Sequence, residues 1–131
     1  MLVKATREGL VGGRTASGYT VDEVVPFVAL PSTKALGRFV HLRNPENGKV
    51  CYATVLDVGP WNGGKVRRKL TGQIIDTDDD AYVFKGQRPQ AEYGLDMRGR
   101  TTNGAGIDLG EKVWKLLEMK DNTKIEWEFL P

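Results

Sequence analysis

The alternation of apolar and polar positions is clearest between Phe39 and Asp57. Val40 and Leu42 fall on one side of Phe39 to Arg43, which predicts a strand. Asn44-Pro45-Glu46-Asn47-Gly48 predicts a turn, because Asn-Gly accepts positive φ. Lys49 to Asp57 predicts the return strand. Val50, Tyr52, Thr54 and Leu56 share one face; Cys51, Ala53 and Val55 share the other, with Asp57 at its end. Small residues on that second face suit the interior of a narrow barrel.

Other elements flank this pair. Leu2 to Arg7 predicts a short strand, and the proline-bounded run Pro26 to Pro31 fits a brief strand or a buried crossing. Val113, Leu116 and Leu117 have helical spacing, which predicts a short helix over Glu111 to Met119 with Glu111 suiting its N-terminal dipole. Thr123 to Phe129 predicts a last strand with Ile125, Trp127 and Phe129 on one face. Residues 62–103 break the pattern. A connection that long is usually functional or disordered, so it is expected to be an insertion with one hairpin that folds over a cleft mouth.

Composition narrows the picture without changing it. The 131 residues fit one domain over 1–131, and 16 glycines with six prolines favour a turn-rich β fold over a bundle. The net charge of +2 gives no argument for nucleic acid. The basic cluster Lys65, Arg67, Arg68 and Lys69 is offset by Asp76, Asp78, Asp79 and Asp80, and both read as solvated loop. No apolar run approaches membrane-span length, and the first residues carry no signal-peptide core.

Inventory excludes several chemistries. One His and one Cys are too few for a zinc site, and no metal or cofactor is expected. A Ser-His-Asp triad would need His41, which reads as a solvent-facing strand residue, with Ser17 or Ser32. Cys51 reads as a small core residue. Gly63-Gly64-Lys65-Val66 lacks the hydroxyl of a phosphate loop. The run from Asp76 begins like a calcium loop but has Ala81 and Gln87 where Gly and Glu belong.

Carboxylate chemistry remains. Asp57 precedes Val58-Gly59-Pro60-Trp61, and Pro60 drives Gly59 away from helical geometry, so the strand stops and holds Asp57 at the rim. The Trp61 indole beside a carboxylate is a natural surface for a sugar ring. Asp108 sits in a second glycine-bounded motif, either as a functional carboxylate or as a turn and capping acceptor.

Several segments occur in a characteristic order: Thr15-Ala16-Ser17-Gly18, Val28-Ala29-Leu30-Pro31, Leu36-Gly37, Asn44-Pro45-Glu46-Asn47-Gly48-Lys49, Val55-Leu56-Asp57-Val58-Gly59-Pro60-Trp61 and Gly106-Ile107-Asp108-Leu109. Together they resemble the domain of rare lipoprotein A, related to expansins and small endoglucanases. The resemblance implies a mainly β fold: a six-stranded double-psi β-barrel with one short helix and a long loop insertion. It implies a cleft for a β-1,4-linked glycan such as peptidoglycan, a monomer, and an extracytoplasmic setting. It makes Asp57 the general acid and base of a lytic transglycosylase-like reaction and Asp108 a second carboxylate for hydrolysis. Thr15, Ser17, Tyr19, Trp61 and Asn62 would contact substrate. Catalytic members carry a His where Pro31 stands, and often an acidic residue where Tyr19 stands. A non-catalytic, expansin-like glycan-binding module is therefore the alternative, followed by a structural or interaction barrel.

Overall fold

The computed structural model describes residues 1–9, 12–60, 65–68, 71–76, 78–96 and 100–131, with 65–68, 74–76 and 96 described by backbone alone. Its strands are β1 (Leu2–Arg7), β2 (Phe27–Leu30), β3 (Phe39–Arg43), β4 (Val50–Val58), β5 (Lys65–Arg68), β6 (Ile74–Asp76), β7 (Gly94–Asp96), β8 (Ile107–Leu109) and β9 (Lys124–Phe129). Among the described residues there are two short α-helices, α1 (Asp80–Lys85) and α2 (Glu111–Leu116).

Six strands close into a barrel in the order β1-β8-β2-β4-β3-β9, with β9 pairing back to β1. Two pairs are parallel, β1 with β8 and β2 with β4; the others are antiparallel. The chain is thus mainly β with a closed six-stranded barrel. Inward positions alternate as the pattern requires: Val3 and Ala5, Val40 and Leu42, Cys51, Ala53 and Val55, Ile107 and Leu109, Ile125 and Trp127 are all buried. Phe27–Leu30 is a strand buried at every position, because both of its faces are covered. Burial also pushes the Cys51 thiol up to about 11, in keeping with a core role.

The turn between β3 and β4 is held where Asn-Gly predicted it. The Gly48 N–H donates to Asn44 O at 2.8 Å, and the Asn44 and Asn47 side-chain amides both donate to Leu117 O at 3.0 Å. Helix α2 packs its Val113 into the core and is anchored by Glu111, which is buried and paired with Arg7 through two contacts.

The segment after β4 departs from expectation in three ways. It holds a three-stranded antiparallel sheet, in the order β6-β5-β7, rather than one hairpin. The basic cluster therefore lies largely in strand β5, not in a loop. It also holds a second helix, α1, where one helix in all was predicted. Six residues are too few to show a 3.6 period, but the ends are marked: the Asp79 carboxylate accepts from Tyr82 N, and Gly86 closes the helix in the left-handed region. The acidic run is not a solvated loop either. Asp78 accepts from Thr33 N and Oγ1, Asp80 accepts from Ser32 Oγ at 2.7 Å and Lys34 Nζ at 2.5 Å, and Asp79 N donates to Pro31 O at 2.6 Å. These contacts dock α1 on the turn after β2.

The docking reaches the core. Tyr82 is 1% exposed, its ring lies edge-on to Trp127 at 5.8 Å, and its hydroxyl donates to Gly106 O and accepts from Trp127 Nε1, both at 2.8 Å. Gly106 leaves room for this: a Cβ there would stand 2.8 Å from the Tyr82 hydroxyl. Phe84 stacks on Phe129 with ring centres 5.5 Å apart, and the Arg38 guanidinium covers Phe129 at 4.0 Å. Part of the expected insertion is thus barrel core.

Candidate functional site

Register places the two predicted carboxylates on one face. Thr6 of β1 pairs with Asp108 of β8, Asp108 with Ala29 of β2, and Ala29 with Asp57 of β4. Residues directly opposite on neighbouring strands point the same way. The row Thr6, Asp108, Ala29, Asp57 therefore crosses four strands, with only the methyl of Ala29 between the carboxyls.

Asp57 reaches this row through a β-bulge. Val28 pairs with Val55, both fully buried, yet the next pair is Ala29 with Asp57, so Leu56 is an extra residue on β4. Simple alternation would turn Asp57 inward with Cys51, Ala53 and Val55. The extra residue flips the phase, as bulges do where a side chain must be re-aimed. The strand also continues one residue past Asp57, to Val58, before the cis Gly59–Pro60 peptide.

The segment Thr15-Ala16-Ser17-Gly18 seals one side of the row. It is the tip of a narrow loop held by Gly12 N to Val21 O, Val21 N to Gly13 O and Thr15 N to Tyr19 O, each 2.8 Å. Ser17 N donates to Leu56 O at 3.2 Å, and Ala16 N donates to Asp57 Oδ1 at 2.9 Å; Val58 N donates to the same oxygen at 2.9 Å. One Asp57 oxygen is thus fixed by two backbone donors. The Thr15 and Ser17 hydroxyls bond each other at 2.9 Å beside it.

Asp108 lies inside β8, not at a turn or cap; Gly110 occupies the N-cap of α2. Burial raises its carboxyl to about 6, with the nearby Asp57 charge adding to the rise and the Thr6 hydroxyl, which donates to Asp108 Oδ1, opposing it.

Glu8 is the residue the sequence reading missed. The Glu8 N–H donates to Leu109 O at 2.8 Å, so the β1–β8 ladder runs one residue past Arg7. Two residues on from Thr6, Glu8 shares its face. Burial, then the hydrogen bond and charge of Asp57, then the charge of Asp108, push its carboxyl up to about 9. Its Oε2 is occluded from solvent with no hydrogen-bond partner. Two ionised carboxylates have no proton to share; once Glu8 is protonated it becomes a donor toward Asp57. The signal was available as the alternation Lys4, Thr6, Glu8 against Val3, Ala5.

Tyr19 is half-buried, its ring edge-on to Phe27 at 5.7 Å. Its hydroxyl is occluded and directed at Asp22, without a bond of full geometry. Burial first, then Asp22, push the phenol up to about 12. Trp61 and Asn62 lie outside the described residues. His41 packs on Tyr52 at 5.3 Å, on the outer face of β3, and Ser17 and Ser32 are engaged elsewhere, so these residues assemble no triad. A cavity of about 200 Å³ lies beside His41, Arg43 and Trp127, away from the carboxyl row. Among the described residues no three His, Cys, Asp or Glu are spaced to hold a metal ion, and no helix is long and apolar enough to cross a membrane.

The class defined by this geometry is a closed, mixed six-stranded β-barrel with a carboxyl-lined face. Residues 1–66 match the family described as a domain of unknown function (DUF8814), and the chain belongs to that family. The match spans β1 to β4, and so includes Glu8, the Thr15–Gly18 loop and Asp57, but not Asp108. No curated protein matches the chain.

Proposed function

We propose that this chain is a cell-wall glycan-acting domain of the double-psi type, lytic transglycosylase-like, with Asp57 as its general acid and base. The single observation that carries the reading is the bulge at Leu56, which turns Asp57 out of the core, into line with Asp108 and onto the face Glu8 shares. A bulge costs regular pairing, and here its visible effect is to aim one carboxylate. The two parallel strand pairs, joined through antiparallel β2 and β8, support the double-psi reading.

The reaction needs one group at the scissile bond. Asp57 gives a proton to the glycosidic oxygen as the C1–O bond breaks. The sugar's own C6 hydroxyl then bonds C1, closes a 1,6-anhydro ring, and returns its proton to Asp57. Backbone donors from Ala16 and Val58 fix one Asp57 oxygen and leave the other for this work. Asp108 places a second carboxyl beside the developing positive charge. A polymeric β-1,4 glycan such as peptidoglycan is the substrate, a monomer the working unit, and the extracytoplasmic space the setting. Incubation with peptidoglycan sacculi and mass spectrometry of the soluble products tests the reading.

Binding without cleavage is the second reading, and Pro31 favours it. The residue standing in place of the family's His is buried, and its carbonyl accepts from Asp79 N. Nothing at that position titrates. This reading predicts that the protein sediments with sacculi and releases no fragments.

A further inference from the structure

Resting on the glycan-cleaving reading, we propose that Glu8 is a positioning residue that holds the proton Asp57 delivers, acting through Asp57 rather than on the substrate. Three placements carry this. Glu8 is fixed at its backbone by the bond to Leu109, on the same face as Thr6 and Asp108. Its side chain reaches Asp57 from the neighbouring end of β1, and Oε2 is closed off from water. The charged groups facing it are Asp57 from β4 and Asp108 from β8, both acidic; among the described residues Glu8 has no cationic partner. A carboxyl in that position is most stable neutral, because burial and two like charges oppose its ionisation.

The consequence is chemical. An acid catalyst must carry a proton at working pH, and the Glu8–Asp57 pair carries one. It passes from Glu8 to Asp57 as Asp57 protonates the leaving oxygen, and the C6 hydroxyl restores it. Atoms balance, since the pair ends with the proton it began with. This gives the site a proton source close to Asp57 without the missing His. The acids of the following loop, Asp22 and Glu23, do not supply it. Tyr19 and Asp22 are directed at each other, and Glu23 lies 3.8 Å from Lys115.

The test has two arms. In the first, the carboxyl carbons of the full chain are followed by NMR against pH, in wild type and Asp57→Asn. Glu8 is expected to titrate above neutrality, and to fall on the order of one pH unit when the Asp57 charge is removed. An ordinary titration near 4 to 5, or one that Asp57→Asn does not move, overturns the proposal whether or not the protein cleaves glycan. In the second, anhydro-product release from sacculi is measured across pH for wild type, Glu8→Gln and Glu8→Ala. Gln keeps the shape and a donor but has no proton to give. Both variants are expected to lose about 10-fold or more at neutral pH, with the remaining activity moved toward acid and sedimentation with sacculi unchanged. An unshifted pH profile in Glu8→Gln overturns the proposal. No products from wild type at any pH would count against the cleaving reading itself, and the proton-sharing pair would then stand or fall on the titration.

Discussion

Replacing Tyr82 with Phe removes one oxygen and should cost the barrel a large part of its stability. The Tyr82 hydroxyl links Gly106 O to Trp127 Nε1, each 2.8 Å away and buried. Without it, an indole N–H and a backbone carbonyl are left unpaired in the core. Each orphaned group costs about 1–3 kcal/mol, so the variant should lose about 2–6 kcal/mol. Domains of this size are stable by about 5–15 kcal/mol, so the fold should survive. Urea unfolding followed by tryptophan fluorescence is the assay, and with a slope of about 2 kcal/mol/M the midpoint should fall by about 1–3 M at unchanged slope. A fall of less than about 0.3 M would refute the reasoning. It would mean that α1 is not docked through Tyr82, and that residues 62–103 are the detachable insertion the sequence implied. Deleting 62–103 would remove Tyr82 and Val83 from the core, so that deletion should unfold the barrel rather than open a cleft.

Three further outcomes follow from the same contacts. Gly110→Ala puts a Cβ 2.5 Å from the Phe27 ring, and overpacking of this kind should cost about 1–3 kcal/mol by urea unfolding. Glu8 binds its proton more tightly folded, near 9, than unfolded, near 4.5, so the native state holds more protons between those values and stability should fall as pH rises through them. Asp108 adds a fall of the same sign only up to about 6. Between about pH 6.5 and 8.5 Glu8 should therefore account for roughly 1 kcal/mol, after a ceiling of about 2.7 is discounted for its partial exposure. Glu8→Gln should flatten that decline, and a wild-type stability that rises across the window would contradict it. Thr6→Val removes the hydroxyl that donates to Asp108, so the Asp108 carboxyl, followed by NMR, should titrate higher than in wild type.

Much of the barrel was legible because its strands alternate cleanly. Phe39–Arg43, Val50–Val58 and Lys124–Phe129 are strands close to where period-two patterning put them, and the Asn47-Gly48 turn joins the first two. The rest escaped for physical reasons. The bulge at Leu56 inserts one residue with no compositional mark, so alternation alone turned Asp57 the wrong way. Helix α1 is shorter than two turns, and its membership in the core depends on Tyr82 meeting Trp127, 45 residues away. Glu8 falls just beyond the predicted strand Leu2 to Arg7, and the pairing that carries β1 past Arg7 is a contact with β8 a hundred residues on. For Asp108 the flanking glycines left a functional carboxylate and a capping acceptor both open; the α2 cap is Gly110, and Asp108 is held within the sheet.

In the proposed function the bulge-aimed carboxylate, Asp57, cleaves glycan. Purified wild type and Asp57→Asn, incubated in parallel with peptidoglycan sacculi, test it through mass spectrometry of the soluble fraction and sedimentation of the protein. Fragments ending in 1,6-anhydro sugars from wild type alone, with both proteins sedimenting, are the predicted result. Equal release by Asp57→Asn, or no release from wild type across the pH range, would contradict it.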